Sequence, residues 1–312
     1  MWCLRPLSVL LLLSTVPTGS EVVQSMSHCS DFLLHNSPPH IPGILENGNI
    51  LDNKRYKPIC QTYVDERRFV TLYDTENKIP VFSAYKYRGV EENVRRPKKN
   101  WKIEPQLEDR QGDRNMGCEK RRINYSHQAQ DKDYTNEENF DRGHLFPCSY
   151  AFSKDDKIST FTLTNIVPQA GTFNNGSWNR MENCIKCVMD KYCKNKNGVL
   201  EGFVVIGAQP NNNNNKLKNK VNIPKMLWSA FCCYSGEKKK WLASAHWGKN
   251  IADSASDKYM QTKTFEQLYD ELGIGVFRSK YCPWKETVAG LYQRLNEANP
   301  DCKCPPSYSI RL

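Results

Sequence analysis

One short part of the sequence combines a candidate general base with candidate ligands for a metal ion. His144 ends the motif Asp141-Arg142-Gly143-His144, and a neutral imidazole can accept a proton near physiological pH. Asn174 and Glu182 follow, and hard divalent cations prefer oxygen ligands such as amides and carboxylates. A base beside an ion that neutralises developing charge is what hydrolysis of a phosphodiester requires. The residue types therefore indicate metal-dependent hydrolysis of phosphodiesters.

Each of these residues also has an ordinary structural interpretation. A lone histidine such as His144 is more often structural than catalytic. Asn174 and Asn175 precede a predicted helix, where they could act as turn or capping residues. Glu182 would lie between one and two turns into that helix, close enough to hold a metal-bound water. On spacing alone, turn and capping roles explain the asparagines better than metal binding does.

The elements that must position these residues follow from hydrophobic patterning. An apolar stripe predicts a helix that is capped by Ser177 and continues through Asp190. A second helix is predicted over 264–272, before Gly273. Strands are predicted over 67–73, 79–87, 161–166, 202–208, 225–234 and 241–247, the first two as a hairpin and the third ended by Pro168. The mixture lacks βαβ regularity, which predicts an α+β domain around a largely antiparallel sheet.

The beginning of the chain predicts export. Arg5 precedes an apolar run from Leu7 to Val16, with small residues Thr18 and Ser20 before a possible cleavage point. No other segment is apolar for long enough to predict a membrane span. We expect a secreted protein or one in the lumen of the secretory pathway. The predicted divisions are a signal peptide 1–20, an N-terminal flank 21–55 in an extended conformation, a main domain 56–282 and a C-terminal tail 283–312.

The cysteine content agrees with export. Thirteen cysteines minus Cys3 in the signal leave twelve, and an even set in an exported chain predicts a disulfide framework. The pairs Cys184/Cys187 and Cys302/Cys304 could instead bind a metal, but disulfides are favoured in an oxidising compartment. No spare thiolate is expected, which argues against a Cys/His hydrolase.

The charge suits a polyanionic partner. The net charge of +10 falls to +9 once Arg5 is removed with the signal peptide. A basic surface attracts phosphate polymers in a salt-dependent way. The basic run 95–99 is a candidate for phosphate contact, and a solvated face is an equally good interpretation of Lys216, Lys218 and Lys220. The oligomeric state stays open.

Three ordered motifs carry a family resemblance. Asp141 to His144, then Thr164-Asn165-Ile166-Val167-Pro168-Gln169, then Asn174-Asn175-Gly176-Ser177-Trp178-Asn179-Arg180-Met181-Glu182, resemble the DNA/RNA non-specific endonucleases, the ββα-metal nucleases. The similarity extends from about Arg68 to Cys282, so the main domain is expected to be an endonuclease domain with the ββα-metal nuclease fold.

The resemblance implies a role for each residue. His144 would be the general base, Asn174 the sole direct protein ligand of Mg²⁺ (Mn²⁺ or another divalent cation is possible), and Glu182 would bind the ion through water. Asn165 would support the phosphate and the base, and Arg142 would assist structurally or at the phosphate.

Two positions depart from the family pattern. Lys99 stands where an arginine usually precedes Asn-Trp-Lys, and Lys186 replaces a second arginine one turn beyond Glu182. Lysine keeps the charge but loses the planar two-pronged contact with phosphate oxygens. The alternative expectation is therefore a secreted protein that binds with this fold but has little or no activity.

The function expected from the resemblance is a secreted Mg²⁺-dependent endonuclease. It would cleave DNA and RNA through phosphate contacts, without sequence specificity, and leave 5′-phosphate ends. Two glycosylation sequons, at Asn124 and Asn175, bear on this expectation. A glycan on Asn175 would crowd the metal, so we expect Asn124 to be modified and Asn175 largely not.

Overall fold

A six-stranded antiparallel sheet forms the centre of the molecule. The computed structural model describes residues 21–306 except 121–122, 214, 257 and 278, so the predicted signal peptide lies outside the described residues. The strands lie in the order Lys240–Lys249, Met226–Ser235, Gly202–Gln209, Ile79–Tyr87, Glu66–Asp74, Tyr56–Tyr63. Every neighbouring pair is antiparallel. The α+β class predicted from the sequence is confirmed.

Both faces of this sheet are covered. Tyr85 and Tyr87 belong to the apolar layer that also contains the apolar stripe of the helix Asn179–Tyr192. Phe82 and Ala84, from the same strand, belong to the opposite layer, with the N-terminal flank and the helix Phe265–Leu272. Successive side chains of a strand point to opposite faces. Because both faces are buried, the sequences of the central strands are nearly continuous apolar runs.

A hairpin and a helix lie on one side of the sheet and carry the motif residues. Phe140–His144 pairs antiparallel with Ile166–Ala170, and we call this pair the site hairpin. Helical backbone then begins at Gly171–Phe173, passes through a wide π turn at Asn174–Trp178, and continues as Asn179–Tyr192, which we call the site helix. Two strands followed by a helix form the β–β–α unit implied by the resemblance.

Two local predictions around this unit are wrong. The strand predicted over 161–166 is a 3₁₀ turn at Leu163–Asn165, and the strand is Ile166–Ala170, with Pro168 inside it. A two-stranded hairpin has free edges, where proline is tolerated. Ser177 is not a helix cap, because helical backbone begins six residues earlier, at Gly171 (177 − 171). Its hydroxyl instead donates to Asp253 at 2.9 Å.

Other predictions are confirmed, with bounds shifted by a residue or two. The predicted hairpin is Glu66–Asp74 with Ile79–Tyr87, and the helix Phe265–Leu272 is capped by Thr264 and ended by Gly273 at φ +70°. Tyr56–Tyr63 is a strand that patterning did not predict. The flank is not extended, because it folds into 3₁₀ turns at Met26–Phe32 and Leu34–Asn36.

Minor elements complete the fold. The remaining α-helices are Pro105–Glu108, Lys154–Ser159 and Tyr292–Ala298. Two-residue strands occur at Leu45–Glu46, Asn49–Ile50, Lys102–Ile103, Gly117–Cys118, Lys216–Leu217 and Val221–Asn222. Further 3₁₀ turns lie at Asp131–Asp133, Cys148–Tyr150, Ala289–Leu291 and Pro300–Cys302. Within the described ranges, no helix is both long and apolar enough to span a bilayer.

Disulfides fasten the site helix and the flank. The bonded pairs are Cys29–Cys60, Cys184–Cys304, Cys187–Cys302, Cys193–Cys233 and Cys232–Cys282. Two of them tie the C-terminal tail to the site helix, which excludes the metal-binding interpretation of those four cysteines. The prediction that no thiol is spare is wrong, because Cys118 and Cys148 are free.

Candidate active site

A cavity of about 760 Å³ lies between the site hairpin, the site helix and the basic run 95–99. It brings together five of the six residues singled out from the sequence: Lys99, Arg142, His144, Asn174 and Glu182. Asn165 is fully buried and does not line the cavity. The sequence motifs thus converge on one site from three separate parts of the chain.

His144 ends its strand with one ring nitrogen occupied and the other available. The ring lies between Trp101 and Phe161, at centroid distances of 5.4 and 5.0 Å. One nitrogen donates to the backbone carbonyl of Arg142, while Nε2 has no protein partner. This assigns the proton to Nδ1 and leaves the lone pair of Nε2 free.

The electrostatic surroundings keep His144 neutral. Burial, and then the positive charges of Arg96 and Lys99, lower its pKa to about 3. A histidine whose pKa is lowered stays unprotonated at neutral pH and can accept a proton there. The strand also approaches its partner closely, since a Cβ on Gly143 would lie 2.2 Å from Oε1 of Gln169. Only glycine fits before the histidine.

Asp141 orients two asparagines at the start of the helical segment. Its Oδ2 accepts hydrogen bonds from Nδ2 of Asn174 at 3.0 Å and Nδ2 of Asn175 at 2.6 Å. Asn175 also donates to the carbonyl of Gly171 at 3.0 Å. Because the amide nitrogen of Asn174 is held by the carboxylate, its Oδ1 remains an acceptor at the cavity wall. The asparagines are therefore not helix caps.

Glu182 lies on the next turn of the same wall. Its Oε1 accepts a hydrogen bond from the indole of Trp178 at 3.0 Å, and its backbone carbonyl accepts one from Tyr150 at 2.6 Å. Burial raises the pKa of Glu182 to about 8, against the opposing effects of Trp178 and Arg96. A nearby divalent cation would favour the carboxylate form.

This donor set fits a hard ion that keeps most of its water. The described residues contain no group of three or more His, Cys, Asp or Glu side chains arranged to hold a metal. Asn174 offers an amide oxygen and Glu182 a carboxylate at the cavity wall. Mg²⁺ dehydrates reluctantly and is commonly held by one or two protein oxygens with several waters.

Arg142 is bound within the chain. Its guanidinium contacts the Asp131 carboxylate at 2.9 Å and donates to the Asp131 carbonyl at 3.1 Å. It also lies against the rings of Trp101 and Tyr134, at 5.1 and 5.8 Å. Lys218 in its own right fastens the 3₁₀ turn that contains Asp131, because it donates a hydrogen bond to the carbonyl of Lys132.

Asn165 has every amide position satisfied. Its Oδ1 accepts from the hydroxyl of Ser83 and the backbone N–H of Phe146, both at 2.9 Å. Its Nδ2 donates to the carbonyls of Phe146 and Thr160, at 3.1 and 3.0 Å. The side chain thus connects the central sheet to the segment that follows His144.

The basic residues divide between the cavity and the framework. Lys99 lines the cavity, whereas Lys186 forms an ion pair with Asp190 at 2.6 Å and does not line it. Lys220 lies 3.5 Å from Asp133. Arg96 lines the cavity, and sequence reasoning had placed it only within the basic run. The sequence feature that could have identified Arg96 as a cavity residue is its position three residues before Lys99.

Cys148 also lines the cavity without qualifying as a nucleophile. Its thiol is buried, and burial raises its pKa. A nucleophilic cysteine requires a lowered pKa. The Cys/His hydrolase alternative therefore gains no support from this free thiol.

A neutral histidine, an amide oxygen, a carboxylate and several cationic side chains line one cavity, a combination that suits metal-assisted hydrolysis of a phosphodiester. The sequence profile of the DNA/RNA non-specific endonucleases matches residues 47–289, so the chain belongs to that family. The family is named for nucleases that act on both DNA and RNA.

Named relatives cover part of the same region. The chain is 26% identical to the endonuclease domain-containing 1 protein of Homo sapiens over 219 residues, 68% of this chain and 40% of the relative. For the Mus musculus protein the identity is 27% over 213 residues, 66% of this chain and 38% of the relative. The chain thus spans about two fifths of the length of these relatives.

Two further matches are shorter or more distant. A nuclease from Nostoc sp. is 34% identical over 92 residues, 28% of this chain and 30% of that protein. A crystal structure of the EndoG/EndoGI complex superposes with a TM-score of 0.46 and 19% identity, covering 67% of this chain and 82% of that one.

Proposed function

We propose that this protein is a secreted, Mg²⁺-dependent endonuclease that hydrolyses DNA and RNA without sequence specificity and leaves 5′-phosphate ends. One observation carries the proposal: His144, whose Nε2 has no hydrogen-bond partner within the protein, lines the same cavity as Asn174 and Glu182. Arg142 and Asn165 act by positioning the base, and Lys99 adds positive charge. The disulfides suit an oxidising compartment such as the secretory pathway.

The chain's own groups divide the work of hydrolysis. Nε2 of His144 takes a proton from a water molecule as the water oxygen forms a bond to phosphorus. The bond from phosphorus to the 3′ oxygen breaks, and that oxygen takes up a proton from solvent. Asn174 and Glu182 would hold the ion, and when bound it would neutralise charge on the phosphate and the leaving oxygen. Cleavage this way leaves the phosphate on the 5′ end.

Lack of sequence preference follows from which groups face the cavity. Lys99 and Arg96 offer cations for contact with phosphate oxygens, and such contacts carry no sequence information. Phosphates are common to DNA and RNA, so both polymers would be substrates. The basic net charge adds salt-dependent attraction to either.

Cleavage of supercoiled plasmid and of RNA, with and without EDTA, tests the proposal. Wild-type protein from the culture medium should cleave both, EDTA should abolish cleavage, and ligation without kinase treatment should detect the 5′ phosphates. His144→Ala should reduce kcat by about 10³-fold, within the range of general-base contributions. His28→Ala, which removes an exposed histidine, should leave kcat unchanged.

The outcomes separate the two expectations drawn from the sequence. Equal cleavage by His144→Ala and wild type would refute the assignment of the base. Nucleic-acid binding without cleavage by the wild type would support the alternative, a binding protein with this fold.

A further inference from the structure

Two arginines line the cavity, and their surroundings differ. Arg142 belongs to the motif shared with the family, whereas Arg96 lies in an irregular segment. Arginine is the residue best suited to two parallel hydrogen bonds with a phosphate. The question is which guanidinium is available for that contact.

The guanidinium of Arg142 already has an ion-pair partner within the chain. Its side chain is only 23% exposed and is paired with Asp131 at 2.9 Å. Trp101 and Tyr134 cover its guanidinium. Binding a phosphate here would require breaking the ion pair. The hydrogen bond that His144 donates to the Arg142 carbonyl adds a direct reason to keep this residue in place.

Arg96 is exposed and lacks a carboxylate partner. Its guanidinium lies over the ring of Phe161 at 5.5 Å, and none of the carboxylates in the described part of the chain lies within ion-pair distance of it. Asp141 is one of the acidic residues that line the cavity, and its carboxylate already accepts hydrogen bonds from Asn174 and Asn175. The segment is fastened two residues earlier, where Lys157 donates to the carbonyl of Val94.

Arg96 lies in the same cavity as the proposed base, His144, and the proposed carboxylate ligand, Glu182. Its positive charge is close enough to His144 to lower the pKa of the imidazole. An anion bound in this cavity would therefore meet the guanidinium beside the base. Phe161 contacts both residues: the Arg96 guanidinium lies over its ring, and the His144 ring meets it edge to face.

We propose that Arg96 binds the non-bridging oxygens of the scissile phosphate, while Arg142 is a positioning residue for the His144 strand. Arg96 thereby supplies the planar contact that Lys99 cannot make. The catalytic role of Arg96 in this inference rests on the proposed function, whereas the binding of phosphate by Arg96 does not. Charge on these oxygens grows in the transition state, so the contact strengthens there.

Kinetics of Arg96→Ala, Arg96→Lys and Arg294→Ala on a fluorescent oligonucleotide test the proposal. Arg294 is exposed on the helix Tyr292–Ala298 and controls for the loss of one positive charge. We expect Arg96→Ala to lower kcat/KM about 100-fold, as for removal of one transition-state donor. Arg96→Lys should recover only a small part of this loss, and Arg294→Ala should stay within about two-fold of wild type.

The lysine variant separates the planar contact from the charge, because lysine keeps the charge but lacks the paired donors. The base acts unprotonated, so activity falls as pH drops through the pKa of His144. Arg96 lowers that pKa, so Arg96→Ala should also move the acid limb to higher pH, whereas Arg96→Lys should not. Full activity in Arg96→Lys would overturn the proposal.

A binding measurement without turnover distinguishes this inference from the proposed function. Calorimetry with thymidine 3′,5′-bisphosphate in EDTA should show Kd raised about ten-fold or more by Arg96→Ala, as for a lost charge-assisted contact, and unchanged by Arg294→Ala. If wild type binds in this way but does not cleave, the inference stands and the proposed function fails. Equal Kd values for wild type and Arg96→Ala, or no binding by folded wild type, would refute the inference.

Discussion

The cavity has two walls, one formed by the site hairpin and site helix and the other by residues 95–101. They differ in how many of their polar groups have hydrogen-bond or ion-pair partners within the chain. On the first wall, Asp141 accepts from two asparagines and Trp178 donates to Glu182. On the second, Arg96 and Lys99 are exposed cations in an irregular segment. The proposed base and ion ligands are therefore oriented before substrate binds, whereas the proposed phosphate contacts have no partner until it does.

On the oriented wall, removal of the proposed metal ligand should give the largest effect after loss of the base. Asn174→Ala takes away the only amide oxygen proposed for direct metal contact, and we expect activity at fixed Mg²⁺ to fall about 100-fold, the upper range for disturbed metal sites. Titration of Mg²⁺ against cleavage rate should show a raised half-maximal concentration and partial recovery at high Mg²⁺.

Asn183→Ala provides the control for that prediction. Asn183 is another amide that lines the cavity, on the site helix, and its nearest hydrogen bond is a long one to Asn179. Its removal should leave the Mg²⁺ requirement unchanged. Equal Mg²⁺ titrations for Asn174→Ala and wild type would move the metal site elsewhere.

Loss of the Asn165 amide should act on stability first. Asn165→Ala leaves buried partners such as the Phe146 N–H without a hydrogen bond, and we expect about 3 kcal/mol lower free energy of unfolding. Ser83→Ala removes one of the same bonds and should cost about 1 kcal/mol. Urea denaturation measures both.

The contrary result would be informative. If Asn165→Ala is as stable as wild type but cleaves poorly, Asn165 acts at the phosphate and the oriented wall extends further than the hydrogen bonds indicate.

The two sequons should have the smallest effect on cleavage and should differ clearly in glycan occupancy. Nδ2 of Asn175, the atom that would carry a glycan, already donates to Asp141 and Gly171. Asn124 is exposed in an irregular segment. Glycopeptide mass spectrometry of protein from a secreting eukaryotic host should find Asn124 occupied and Asn175 largely free. High occupancy at Asn175 would contradict a pre-formed metal site on this wall.

The sequence predicted more of the sheet and of the site than of their connections. Runs such as Gly202–Gln209 and the capped helix after Thr264 carry strong local signals, and the structure has them. The strand at Ile166 and the start of the site helix were placed wrongly. Their bounds depend on partners far along the chain, such as Asp253 for Ser177, which lies 76 residues away.

The sequence by itself determined the proposed chemistry: through the family resemblance, the motif ending at His144, with Asn174 and Glu182 after it, predicts a base and oxygen ligands for an ion. Tertiary structure alone decided that Asn165 is buried, that Asp131 occupies Arg142, and that Arg96 faces the cavity. It also decided which two cysteines stay free. The physical reason is that residue type fixes which bonds a group can make, whereas packing between distant segments fixes which partners it meets.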